Sequence, residues 1–153
     1  MFNLEVDAEH VYYVSTAGVL VHNTYANTRL GNLAENHSRK LLEQRGYTIL
    51  ADVRNASGHG IDVIAEYTTR SGAKRLLVVE VKANRSAMSS LQRMGSQLYL
   101  EDVLSRAEKW NGPGKVAAAA IRLRLDSGEA IRGILMRVDM KAPDLPATTV
   151  VPW

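Results

Sequence analysis

The chain contains no cysteine. Disulfides and thiolate metal sites are therefore excluded, and nothing ties the protein to one redox compartment. Any metal it holds must bind carboxylate, carbonyl or imidazole groups, a donor set that favours Mg²⁺ or Mn²⁺. No apolar run approaches the roughly 18 residues needed to cross a bilayer. The opening residues also lack the basic start and apolar stretch of a signal peptide. Internal repeats and low-complexity tracts are missing too. Lysine and arginine are absent from residues 1–23, whose only charged acids are Glu5, Asp7 and Glu9.

What is present suits one globular domain: 153 residues, 46% of them apolar, enough to bury a real core. Charge is unevenly spread. Beyond residue 23 there are 19 basic and 13 acidic residues, so the body carries +6 while the whole chain carries +3. A basic body fits a phosphate-rich partner. An ordinary solvated surface accounts for the same charge equally well.

Residues 1–23 read as β: Phe2 to Val6, then Val11 to Val14, then Val19 to Asn23. Polar residues Thr24 to Thr28 change the texture and suggest a boundary, dividing the chain into 1–27, with its linker, and 28–153. A helix follows, with Leu30, Leu33, Ala34, His37 and Leu41 at three- and four-residue steps and Gly46 placed to cap it. Strands are predicted at Tyr47–Val53, Ile61–Tyr67 and Arg75–Ala83, separated by turn chemistry at 55–60 and 71–72. Ala87–Trp110 reads as one helix with a broad apolar face, stopped by Asn111-Gly112-Pro113-Gly114. Val116–Leu125 and Ile131–Met140 read as a hairpin joined at 126–129. Proline interrupts Ala142–Trp153, which reads as irregular with room for one edge strand.

The strand Leu76-Leu77-Val78-Val79-Glu80-Val81-Lys82 is apolar on both faces until it ends in two charges. Such a strand belongs in the middle of a sheet covered by helices on both sides. Side chains alternate along a strand, so Glu80 and Lys82 share a face. An acid inside an apolar central run is costly unless paired or metal-bound. Asp62 flanks the neighbouring apolar strand, so the two carboxylates can meet at one sheet end. Together with the Val81 carbonyl they could hold one or two divalent cations. Lys82 could then orient or deprotonate a water and offset charge growing on a phosphate. The plain alternative is a salt bridge between Glu80 and Lys82, and spacing alone does not separate the two.

This arrangement resembles the PD-(D/E)xK nuclease superfamily over roughly residues 28–125. The family's first acid falls on Asp62 within Gly58-His59-Gly60-Ile61-Asp62-Val63-Ile64, its second on Glu80 and its lysine on Lys82. Ile61 stands where the motif's proline would be. The resemblance implies an α/β fold, the restriction endonuclease-like αβββαβ core with a mixed central sheet flanked by helices, here preceded by a short N-terminal β segment. It also implies a Mg²⁺- or Mn²⁺-dependent endonuclease. Many members carry a glutamate on the first helix, a place that Glu35 fills; the alternative for Glu35 is a solvated pair with Arg39. Some place a glutamine on the helix after the lysine strand, matched by Gln97 and more weakly by Gln92. His59, Arg85, Arg93 and Lys74 are candidate nucleic-acid contacts, each with an ordinary turn or surface role as its alternative.

The first 23 residues, ending Gly18-Val19-Leu20-Val21-His22-Asn23, resemble the end of a Hint (hedgehog/intein) processing domain. In that family the terminal pair, here His22 and Asn23, supports self-cleavage. A Hint-like end ahead of a small nuclease-like domain resembles the tips of bacterial polymorphic toxins, including contact-dependent inhibition proteins. That resemblance implies secretion or delivery by a producing bacterium and action on DNA, with RNA also open, in the target-cell cytoplasm. It further implies neutralisation by a cognate immunity protein, expected to be acidic to match the basic body.

Overall fold

The computed structural model describes residues 5–6, 11–14, 19–22, 24–142 and 146–153, with side chains from residue 28 onward. Three short strands, β1 (Glu5–Val6), β2 (Val11–Val14) and β3 (Val19–His22), form an antiparallel sheet in the order β1-β2-β3. Helix α1 (Thr24–Gln44) follows directly. Thr24–Asn27, expected as linker, are its first turn; their weak helix propensity is overridden once the apolar stripe from Leu30 onward docks on the sheet. Gly46, at φ +83°, ends the helix, and Tyr47 N–H returns to the Leu42 carbonyl at 3.1 Å.

The main sheet runs β4 (Thr48–Arg54), β5 (Gly60–Thr68), β6 (Lys74–Ala83), β7 (Ile131–Asp139) and β8 (Ala147–Pro152), in that spatial order. All neighbours are antiparallel except β6 and β7, which are parallel. A parallel pair needs a crossover, and helices α2 (Ser96–Ala107) and α3 (Pro113–Asp126) supply it. The fold is thus the expected mixed α/β sheet flanked by helices, consistent with a restriction endonuclease-like core.

Strand β6 is buried from Leu76 to Val81, as its two-faced apolar sequence requires. On one face, α1 packs over Leu77, Val79 and Val81, with Val63, Ala65 and Met136 beside them. On the other, α2 and α3 pack over Leu76, Val78 and Ile64 through Leu100, Val103 and Ile121. Glu80 lies in register with Leu135 and Lys82 with Arg137, all on the α2 side near the C-terminal end of β6.

Two expectations are corrected. Val116–Leu125 is not the first strand of a hairpin but most of α3. The alternation Ile121-Arg122-Leu123-Arg124-Leu125 imitates a strand, yet four consecutive alanines and Pro113 in the first turn favour helix. Its buried residues Gly114, Ala118 and Ile121 follow helical spacing. The predicted helix 87–110 also breaks up. A 3₁₀ turn at Gln92–Met94 precedes α2, and Gly95 at φ +108° separates them. No helix among the described residues is long and apolar enough to cross a membrane.

Candidate active site

The β5–β6 ladder ends at Val63 and Val79, so the next pair along, Asp62 and Glu80, lies where the strands part. The Asp62 carboxylate fills the opening: its Oδ2 accepts the Val81 N–H at 2.8 Å. Backbone N–H and C=O of one strand residue face the same neighbour, so the Val81 carbonyl borders the same gap. Strand β4 reaches this point through two register shifts against β5, which add twist and carry Arg54 over Asp62. Gly60 makes the close approach possible. A Cβ there would lie 1.9 Å from the Val53 carbonyl oxygen, and its φ of +151° suits glycine.

Glu80 is 2% exposed. Its Oε1 accepts from Lys82 Nζ at 2.8 Å and from the Gln92 carboxamide. Its Oε2 is buried without a hydrogen-bond partner. Burial, reinforced by the neighbouring Asp62 charge and only partly offset by Lys82, pushes the Glu80 carboxyl up to about 7. The salt bridge with Lys82 is therefore real, but it sits in a buried central strand and satisfies only one oxygen.

On the α1 side, Arg54 Nη2 bridges Glu35 Oε2 and Asp62 Oδ1, each at 2.8 Å. Arg39 Nη2 donates to the Asp62 carbonyl at 2.8 Å and pairs with Asp52. Glu35 thus joins the cluster and takes Arg54 rather than Arg39 as its partner. Burial first, and Asp62 second, raise its carboxyl above the ordinary value.

The structure therefore brings Asp62, Glu80, Lys82, Val81 and Glu35 together. Gln97 does not join them. It is exposed on α2, donates to Glu101, and lines a cleft of about 430 Å³ with Ile131. Ile131 pairs with Leu76, four residues back along β6, roughly 13 Å from Glu80. Gln92 holds the position instead, because the unforeseen 3₁₀ turn brings it onto Glu80. Lys74 is corrected as well. It begins β6, at the far end from Glu80, and pairs with Glu66 at 2.8 Å. Arg85 and Arg93 are exposed in the segment after β6, at the site's end of the sheet. His59 is exposed in the turn that Asn55 closes by accepting the Ser57 and His59 amides, each at 3.0 Å. His22 pairs with Val11 along the backbone, and Asn23 lies outside the described residues.

Sequence reasoning missed Arg54, which bridges Glu35 and Asp62. Arg54 closes an apolar strand eight residues before Asp62, and a cation at a strand end next to an expected acid was the available signal.

The family profile that matches covers residues 34–127, described as uncharacterised protein family UPF0102. The chain belongs to family UPF0102. The matched stretch runs from α1 to just beyond α3, so it contains Glu35, Arg54, Asp62, Glu80, Lys82 and Gln92. With its mixed sheet and flanking helices, this UPF0102 chain is a nuclease-like member of the restriction endonuclease-like PD-(D/E)xK superfamily. Among curated proteins nothing matches it.

Among the described residues no three His, Cys, Asp or Glu side chains are gathered closely enough to chelate a metal by themselves. Two carboxylates and the Val81 carbonyl border one gap, and the unpartnered Glu80 Oε2 beside Asp62 would be satisfied by a cation or by a proton shared with Asp62. That set fits Mg²⁺, which binds few protein oxygens and retains waters.

Proposed function

We propose that this protein is a divalent-metal-dependent endonuclease that hydrolyses phosphodiester bonds of DNA, with RNA as the second candidate substrate. One observation carries the reading: a carboxylate buried in the central strand, salt-bridged to Lys82 through one oxygen, leaves its other oxygen unpartnered beside Asp62. Asp62, Glu80 and the Val81 carbonyl would hold Mg²⁺ or Mn²⁺, which when bound lowers the pKa of a water and neutralises phosphate charge. Lys82, fixed by Glu80, presents an ammonium to the water and to charge developing on the phosphate. Arg54, itself paired with Glu35, holds Asp62 from the α1 side. Arg85, Arg93 and His59 on the exposed rim suit contacts to the nucleic-acid backbone.

The biological setting we propose is interbacterial competition. Residues 28–153 act as the toxin tip and residues 1–27 as the remnant of a Hint-type processing region, the support being the resemblance of the stretch ending His22-Asn23. In that setting the chain is delivered by a producer, works in the target-cell cytoplasm, and is neutralised by an acidic immunity protein that covers the +6 body.

The test is incubation of plasmid DNA and total tRNA with purified chain and Mg²⁺, with EDTA, Asp62→Ala and Glu80→Ala as controls. Cutting that vanishes in all three controls is expected. Full activity of either variant would overturn the site, and binding without cutting would turn the protein into a non-catalytic nucleic-acid-binding module.

A further inference from the structure

Trp153 lies far from Glu80 in sequence, yet it is fastened to the segment that completes the Glu80 environment. Its indole Nε1–H donates to the Gln92 carbonyl at 2.6 Å. Its backbone is held twice: its N–H donates to the Gly133 carbonyl and its carbonyl accepts from Ser96 Oγ, both at 3.1 Å. The ring packs against Tyr99, with centroids 5.5 Å apart, and the Tyr99 hydroxyl donates to the Gly60 carbonyl, two residues before Asp62. Gly133 permits this convergence. A Cβ there would lie 2.0 Å from Ser96 Oγ.

Gln92 needs such an anchor. It opens a three-residue 3₁₀ turn, an element with poor hydrogen-bond geometry and little stability of its own. Its carboxamide nevertheless spans two partners, accepting the Ser89 N–H at 2.8 Å and donating to Glu80 Oε1. Two donors on Oε1, from Gln92 and Lys82, set the rotation of the Glu80 carboxylate and so decide that Oε2 is the oxygen left open.

We infer that Trp153 is a positioning residue: it clamps the Gln92 turn so that Glu80 is held with Oε2 facing the metal position. The inference rests on the proposed reading of Glu80 as a metal ligand. Strand β8 then serves as the arm that delivers Trp153 across the sheet to α2.

The full chain carrying Trp153→Phe, Gln92→Ala or both decides the matter. Phenylalanine keeps a ring against Tyr99 and removes only the indole N–H. In metal-free protein, Trp153→Phe is expected to speed amide hydrogen exchange at Ser89 and Gln92 roughly five- to tenfold, the worth of one hydrogen bond, while Val78 and Val79 exchange as before. In cleavage, Trp153→Phe should lower kcat about as much as Gln92→Ala at unchanged KM, and the double variant should be no worse. Unchanged exchange in Trp153→Phe overturns the clamp whatever the activity. Faster exchange with full kcat, or additive losses in the double variant, overturns its positioning role. A wild-type chain that cuts nothing sinks the nuclease reading alone, since the exchange arm still decides the clamp. Should Trp153→Phe not fold, Ser96→Ala, which frees the Trp153 carbonyl and leaves the indole, must show the same pattern at smaller amplitude.

Discussion

Glu80 offers a sharp thermodynamic test. A carboxyl whose folded-state value is raised to about 7 from an ordinary 4.5 prefers to be protonated in the native protein. Its contribution to stability is therefore fully present below pH 4.5 and is lost as pH rises through 7. Linkage between those two values gives a loss of about 2–3 kcal/mol for metal-free protein between roughly pH 5 and pH 8. Glu80→Gln keeps the shape and cannot ionise, so it should lack this loss. Its absolute stability also reflects Lys82 losing a partner, but that cost does not reproduce the slope. Urea unfolding in EDTA, for both proteins across this range, reads the difference directly. The two curves of stability against pH should diverge, with the variant gaining on the wild type as pH rises. Parallel curves would show that Glu80 is not buried as described, and the case for an orphaned oxygen would fall with it.

Other consequences of the geometry are open to simpler assays. Arg54→Ala leaves Glu35 and Asp62 facing each other half-buried, and should cost about 2–4 kcal/mol in chemical denaturation; Arg54→Lys should recover only part, since an ammonium can bridge the two acids but loses the Nε–H contact to the Ile61 carbonyl. Gln92→Ala is expected to lower cleavage about tenfold while Gln97→Ala leaves it unchanged, because only Gln92 touches Glu80; the reverse order would refute the assignment. Gly114→Ala should lose about 1–3 kcal/mol or more in thermal melting, because a Cβ there would stand 1.9 Å from the Arg54 carbonyl oxygen and would push α3 off β4.

Legibility in the sequence followed the strength of the local signal. The strand Leu76–Val81 is apolar on both faces and sits in the middle of the sheet, because only a doubly covered strand can use such a run. Period-two geometry placed Glu80 and Lys82 on one face, and the observed register sets Asp62 next to them. What the sequence hid was non-local. The alternation in 121–125 favoured a strand until the alanine run and the packing of Gly114 against Arg54 decided for helix. In the sequence Gln92 is the weaker match than Gln97, and 87–110 reads as one helix. The break at Gly95 reverses that order, and one glycine with positive φ is an ambiguous mark before the fold is known.

The charge arrangement accounts for how the cluster survives burial. Three carboxylates, Glu35, Asp62 and Glu80, stand against Arg54 and Lys82, with Arg39 bound to the Asp62 carbonyl. Both partners are spoken for: Arg54 serves Glu35 and Asp62 at once, and Lys82 serves a single Glu80 oxygen. The acids therefore outnumber the cations in contact with them by one. Protonation near neutral pH is one answer to that imbalance, and the raised Glu80 carboxyl shows the protein leaning toward it. A divalent cation is the other. Removing Glu80 alone leaves the largely buried Lys82 ammonium without its partner, a cost the metal-free protein bears whichever role the cluster has. The metal role is therefore read from Mn²⁺ linkage: Glu80→Met should lose stability in EDTA and also lose the stabilisation that Mn²⁺ gives the wild type. A wild type that gains nothing from Mn²⁺ would leave protonation as the only answer the fold uses.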